Sequence, residues 1–240
     1  MNTTRPARTR FYANSALLML VAVLLAFPLT YFAPVATGSH HFPPFYHIHG
    51  AAFFAWIGLY AWQTHLVATG RTARHRELGL AGIALSAMML PLGVIMAIAA
   101  IRRRMAAGDP HPFDFTIYNA VDITTFSLMM VAAIATVTRR PEWHRRFMFG
   151  AALCLVGPAI SRWFLPPVPE IFPWTDFGPN ILADLLLIAL ALHDRRSIGR
   201  VHPATWWTVA ALVPIHLIEP WIASSNAWRA VAPALMTLMQ

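Results

Sequence analysis

Seven stretches of this chain are apolar for long enough to cross a lipid bilayer, and this limits the fold more than any other feature. They fall at residues 12–33, 45–69, 78–101, 114–138, 147–167, 178–193 and 204–222. A hydrocarbon core of about 30 Å takes about 20 helical residues. Inside it each backbone N–H and C=O must be satisfied by its own segment, which leaves helices as the choice for runs of this length. The expected fold is an all-α polytopic membrane bundle of about seven transmembrane helices, filling residues 1–240 as one membrane domain. Composition agrees, because only 12% of the residues are charged against about 25% in a soluble domain. The sixth run is short, and the apolar tail after Ala227 is interrupted by Pro233, so that tail is expected at the interface.

Arginine sets the expected orientation. Every basic residue of the chain is Arg, and positive residues are retained on the cytoplasmic side during insertion. With the N-terminus inside, the inner segments hold 13 arginines: Arg5, Arg8, Arg10, Arg71, Arg74, Arg76, Arg139, Arg140, Arg145, Arg146, Arg195, Arg196 and Arg200. The outer segments hold Arg102, Arg103, Arg104 and Arg229, and the run of three is the one dissent. The expected location is a bacterial cytoplasmic membrane, with the N-terminus cytoplasmic and the C-terminus external. Since the arginines cluster between apolar runs instead of covering one polar face, they read as topology signals, and nucleic acid is not an expected partner. The expected partners are the lipid bilayer and other membrane proteins. The run RPARTR ahead of the first span also has the form of a secretory signal ending near APVATG, although an apolar run of about 20 residues is long for that role. Cys154, the single cysteine, lies in an apolar run and reads as packing.

A weak internal repeat runs through the inner loops. Arg71, His75 and Arg76 align with Arg140, His144 and Arg145, each followed by a small-residue helix start, and His202 falls in a looser third copy. Spans two to seven thus read as three related hairpins after an N-terminal helix. The blander use of these loop histidines is binding lipid headgroup phosphates.

Ionisable and amide side chains within spans are costly and therefore informative. His47 and His49 open the second span, Tyr118, Asn119 and Asp122 lie in the fourth, and Arg162 in the fifth. Asn180 and Asp184 lie in the sixth, and His216 and Glu219 in the seventh. Spacings of three or four put each of the pairs Asn119/Asp122, Asn180/Asp184 and His216/Glu219 on one helix face. At about 1.5 Å per residue, Asp122, Asp184 and Glu219 lie about 13, 9 and 5 Å from the outer ends of their spans. A polar layer in the outer half of the bilayer follows, expected as a pocket open to the outside.

Histidine with carboxylates is the ligand set of Zn, Fe or Mn. The expected metal ligands are His47, His49, Asp122, Asp184, His216 and Glu219, with Asn119, Arg162 and Asn180 in support. His47 and His49 stand about 200° apart on an ideal helix, so both reach one ion only if the helix begins near Ile48. Haem b is the specific case of a cofactor, with His49 and His216 as axial ligands and His65, His144 and His193 as candidates for a second haem. Two competing readings use the same residues: a proton- or ion-coupled pathway through Asp122 or Asp184, and a structural or assembly subunit in which Arg162 pairs with Asp122 or Asp184. Motifs for phosphate loops, zinc proteases and serine hydrolases do not occur, and no substrate follows from the residues.

The segments HIHGAAFFAWIGLYAWQTHLVATGRTARHRELG and RRPEWHRRFMFGAALCLVGPAISRWF resemble those of a family of uncharacterised bacterial multi-pass membrane proteins. The histidine-arginine at the start of a small-residue helix is more distantly similar to membrane families of unknown function linked to haem-copper oxidase assembly. That resemblance favours the metal or haem reading.

A topology reporter fused after Arg146 is expected on the cytoplasmic side and one fused after Asp176 outside. The reverse pair of signals would invert the orientation.

Overall fold

The computed structural model describes residues 5–165 and 174–237, in which nine α-helices and no strand occur. In chain order these are α1 (Arg5–Ala26), α2 (Ala33–Thr37), α3 (Pro44–Ala68), α4 (Thr72–Ala106), α5 (Thr116–Thr136), α6 (Pro141–Ile160), α7 (Trp174–Ile198), α8 (Pro203–Ala223) and α9 (Asn226–Thr237). A π-helical turn, Pro28–Phe32, joins α1 to α2, and a 3-10 turn, Ser161–Phe164, ends α6. Residues 166 and 167 of the expected fifth span lie outside the described residues.

Among the described residues, six segments are long and apolar enough to cross a membrane: Arg10–Thr37, Thr72–Ala106, Thr116–Thr136, Pro141–Phe164, Thr175–Ile198 and Pro203–Ala223. The chain is an integral membrane helix bundle. The one expected span not among these six is the second, 45–69, which is α3: it has 25 residues but is made less apolar by His47, His49, Gln63 and His65. It packs against α1 on one side and α4 on the other.

Short turns make α3–α4, α5–α6 and α7–α8 antiparallel hairpins. Pro44, Pro141 and Pro203 start the helices α3, α6 and α8, at the position where a missing N–H costs nothing. Gly70 and Gly199 end α3 and α7 with φ of +77° each, the left-handed conformation that glycine adopts without a Cβ penalty. After α3 the N–H of Gly70 donates to Val67 O and that of Arg71 to Leu66 O, closing the helix end. Tyr12 of α1 meets Arg145 of α6, and Phe11 stacks on His193 of α7. These contacts place the start of α1 and the three hairpin turns at one end of the bundle, called here the basic end. The α4–α5 connection, the end of α6, the start of α7 and helix α9 lie at the far end.

The loop histidines have structural partners. His75 Nδ1–H donates to Gln63 Oε1 at 3.0 Å, while Gln63 Nε2 returns a bond to His75 O at 3.1 Å. His144 Nδ1–H donates to Ala133 O at 2.9 Å. Both thus tie the second helix of a hairpin to the first, as their aligned positions suggest. His202 differs, because its Nδ1 accepts the Ala204 N–H and caps α8.

Helix α6 is the axis of the bundle. Within its apolar window 61% of residues are buried, against at most 33% in the other five segments, and it packs on α1, α5, α7 and α8. Lipid tails are as apolar as leucine, so close approach and polar contacts hold such helices together instead of a hydrophobic force. Gly150, Ala151, Ala152, Cys154, Gly157 and Ala159 supply that approach.

Arg146, expected in an inner loop, lies instead within α6 and is wholly buried. Its Nε donates to both oxygens of the equally buried Asp194, at 3.1 and 3.2 Å, and its Nη2 to Asp194 Oδ1. Its Nη1 donates to Glu142 O at 2.7 Å. Asp194 Oδ2 also accepts the Thr205 hydroxyl and the His202 N–H. Helices α6, α7 and α8 are thereby pinned at the basic end by a network whose buried acceptors are filled.

Removing one partner of such a pair strands the other charge. Arg146→Met is expected to lower unfolding stability in detergent by about 3–5 kcal/mol, and Arg146→Met with Asp194→Leu to recover much of that loss. Equal losses in the single and double variants would contradict the pairing.

Candidate functional site

Two polar rungs cross the seam between α7 and α8. His216 Nδ1–H donates to the Asp184 carboxylate, with both oxygens at 3.0 Å. One helical turn closer to the far end, Asn180 Nδ2 donates to Glu219 Oε1. The order runs 180, 184 up one helix and 219, 216 down the other, as an antiparallel hairpin requires. Each spacing visible in the sequence thus becomes one side of a ladder.

Burial distinguishes the rungs. Glu219 is 0% exposed, His216 4% and Asn180 8%, while Asp184 stays partly accessible. Glu219 Oε1 has its amide partner, but its Oε2 is buried with no hydrogen-bond partner among the described residues. A carboxyl oxygen left so in an apolar bundle is costly, and such groups mark function more often than packing.

Helices α5 and α6 close the layer. Asp122 of α5 makes no hydrogen bond among the described residues and lies within electrostatic range of Glu219, as does Tyr118. Cys154 of α6 is buried, donates to Gly150 O at 3.4 Å, and lies within range of Asp122, Asp184 and Glu219. Read from the sequence as packing alone, it lies on the helix that faces the polar layer. Only its register on α6 relative to Gly150 and Gly157 could have suggested this.

Two glycines of α6 make room for the seam. A Cβ on Gly157 would stand 2.5 Å from Asn180 Oδ1, and one on Gly150 would stand 2.6 Å from Thr208 Cγ2. Gly157 therefore seats the amide that holds Glu219.

Other expected members stand elsewhere. Helix α3 begins at Pro44 and is continuous through both histidines, so His47 and His49 face apart and do not converge on one ion. His47 is exposed and shares a hydrogen bond with the Tyr31 hydroxyl, while His49 packs on Phe53 with ring centroids 4.2 Å apart. Helix α3, which carries His49, packs on α1 and α4, and α8, which carries His216, packs on α5, α6, α7 and α9. His65 stacks on Trp62, and His144 and His193 have the partners described above. Arg162 forms no ion pair with Asp122 or Asp184. Its guanidinium lies over the Phe27 ring at 4.1 Å and donates to Pro158 O. Asn119 is exposed in a groove between α4 and α5, away from the ladder.

The expected open pocket thus becomes a packed layer of α5, α6, α7 and α8. Among the described residues no three His, Cys, Asp or Glu side chains are grouped closely enough to hold a metal ion. Comparisons with family models, with curated proteins and with solved structures found no match for this chain.

Gly157→Ala is expected to push Asn180 off Glu219 and to cost about 1–3 kcal/mol of unfolding stability. In an Asn180→Ala background the same alanine should cost much less, because its clashing partner is gone. The same cost in both backgrounds would show that Gly157 does not seat Asn180.

Proposed function

We propose that this chain is a proton-handling integral membrane protein, in which Glu219 takes up and releases a proton within the α7–α8 seam. The observation that carries the reading is the unpartnered, buried Oε2 of Glu219, one helical turn from an Asp–His pair. A proton on Oε2 removes the charge that the apolar bundle penalises. Asn180 holds the other oxygen and fixes which one is free. The Asp184–His216 pair, partly accessible through Asp184, is the relay between Glu219 and water. Asp122 and Tyr118 on α5 and Cys154 on α6 complete the groups facing Glu219, and none of them is a cation that would hold it ionised. His216 is the one neighbour able to become positive, and its proton is shared with Asp184.

A second reading keeps the metal. Ligating histidines commonly donate their other ring N–H to a carboxylate, and His216 does so toward Asp184. Its Nε2, with Glu219 and Asp122, would then be the ligand set, after side-chain rearrangement. Near-stoichiometric zinc, iron or manganese in purified protein, lost on His216→Ala, would favour this reading over the first.

The proton reading is tested in proteoliposomes carrying an entrapped pH dye under an imposed potassium diffusion potential. Proton entry is expected to be about tenfold slower with Glu219→Gln, a loss of the size that removing one proton-transfer group produces, and slowed also with Asp184→Asn. Equal rates for wild type, both variants and empty vesicles would contradict the reading.

A further inference from the structure

The far end of the bundle carries a charge anomaly. Arg102, Arg103 and Arg104 stand on the last turns of α4, at the end opposite the other basic clusters. Helix α4 has 35 residues, about 52 Å, and so overshoots a hydrocarbon core of about 30 Å. Its arginines can stand at headgroup level.

Their positive charge is only partly answered. Arg104 donates to Asp109 at 3.1 Å and lies over the Phe115 ring at 4.4 Å. The His111 N–H, with help from Arg104, holds the Asp109 carboxyl below the usual carboxylate range, so this partner stays ionised. Arg103 donates to the Tyr46 hydroxyl at 2.6 Å, a neutral group. Arg102 is exposed and has no partner among the described residues.

The residue before this cluster, Ile101, lines a cavity of about 100 Å³ between α4 and α5. Gly93 and Ala97 of α4, Asn119, Ala120 and Ile123 of α5, and Trp228 of α9 line it. Gly93, Ala97 and Ala120, with at most one side-chain carbon each, leave this space open. Trp228 is held in place: its Nε1–H donates to Phe113 O at 3.1 Å, and Arg229 beside it donates to both oxygens of Asp114. The slot between these two membrane-spanning helices therefore ends one residue before Arg102, whose guanidinium has no partner among the described residues.

We propose that this slot holds one acyl chain of an anionic phospholipid, whose phosphate lies on Arg102 and Arg103. An amphiphile is the ligand that meets both halves of the site. Hydrocarbon fills the slot, where a polar chain would lose its hydrogen bonds, and a phosphate accepts from paired guanidinium donors. The bilayer supplies such molecules laterally, without passage through water. This assignment also accounts for arginines standing against the charge bias of the rest of the chain.

The test is lipid retention. Full-length protein is taken through nanodiscs of equal phosphatidylglycerol and phosphatidylcholine, extracted into detergent, washed, and weighed by native mass spectrometry. Wild type is expected to keep phosphatidylglycerol over phosphatidylcholine. Arg102→Gln should cut that preference about fivefold, and Arg102→Gln with Arg103→Gln should abolish it. Ala97→Phe fills the slot and should lower retention of both lipids, whereas Leu128→Phe, on an exposed part of α5, should not. Helical circular dichroism and the thermal midpoint show whether each variant folds, and Ala120→Leu is the milder filling change if Ala97→Phe does not. No preference in folded wild type, or a preference that survives the arginine changes, would overturn the phosphate assignment. Wild-type retention in a folded slot-filled variant would overturn the acyl-chain assignment.

Discussion

The close approach of α6 to α7 and α8 is the contact on which the rest of this bundle depends. It exists because Gly150 and Gly157 have no side chains where Thr208 and Asn180 press in. Between membrane helices there is little hydrophobic force to gain, so the backbone distance decides how much van der Waals and hydrogen-bonding contact forms. At the basic end that distance lets Arg146 reach Asp194 across the interface. Toward the far end it brings Asn180 against α6 and aims its amide at Glu219.

The seam has two different chemistries at its two ends. Around Asp194 every carboxylate oxygen is occupied, by a guanidinium, a hydroxyl or a backbone N–H, and such a network locks helices in place. Around Glu219 one oxygen is left without a partner. Between them the buried faces of α7 and α8 carry Leu187, Leu190 and Leu212, which are apolar. The filled network and the unfilled carboxyl are thus insulated from each other, and the unfilled one has the character expected of a working group.

Much of the architecture was legible in the residues. The length of the apolar runs gave the helices, the alternation of arginine clusters matched the hairpin ends, and the aligned His75 and His144 do play the same part in two hairpins. The faces of Asn180/Asp184 and His216/Glu219 also followed from spacing. What spacing could not give was the partner of each face, because a lipid-facing and a protein-facing surface are equally apolar. Arg146 was therefore read as a loop charge, one reading paired Arg162 with carboxylates it does not meet, and Asn119 was grouped with Asp122 although it faces a groove. His47 and His49 were separable in principle, since a helix starting at Pro44 must turn them apart. The centrality of α6 showed only as a run of small residues, a signal that many membrane helices share.

The proposed exchange of a proton on Glu219 is open to infrared spectroscopy of the protein in lipid, taken across a pH titration. A carboxylic-acid C=O band is expected to grow as pH falls, to be absent in Glu219→Gln, and to shift in Asn180→Ala because the amide to Oε1 is lost. A Glu219→Gln spectrum identical to wild type at every pH would show that Glu219 does not exchange the proton.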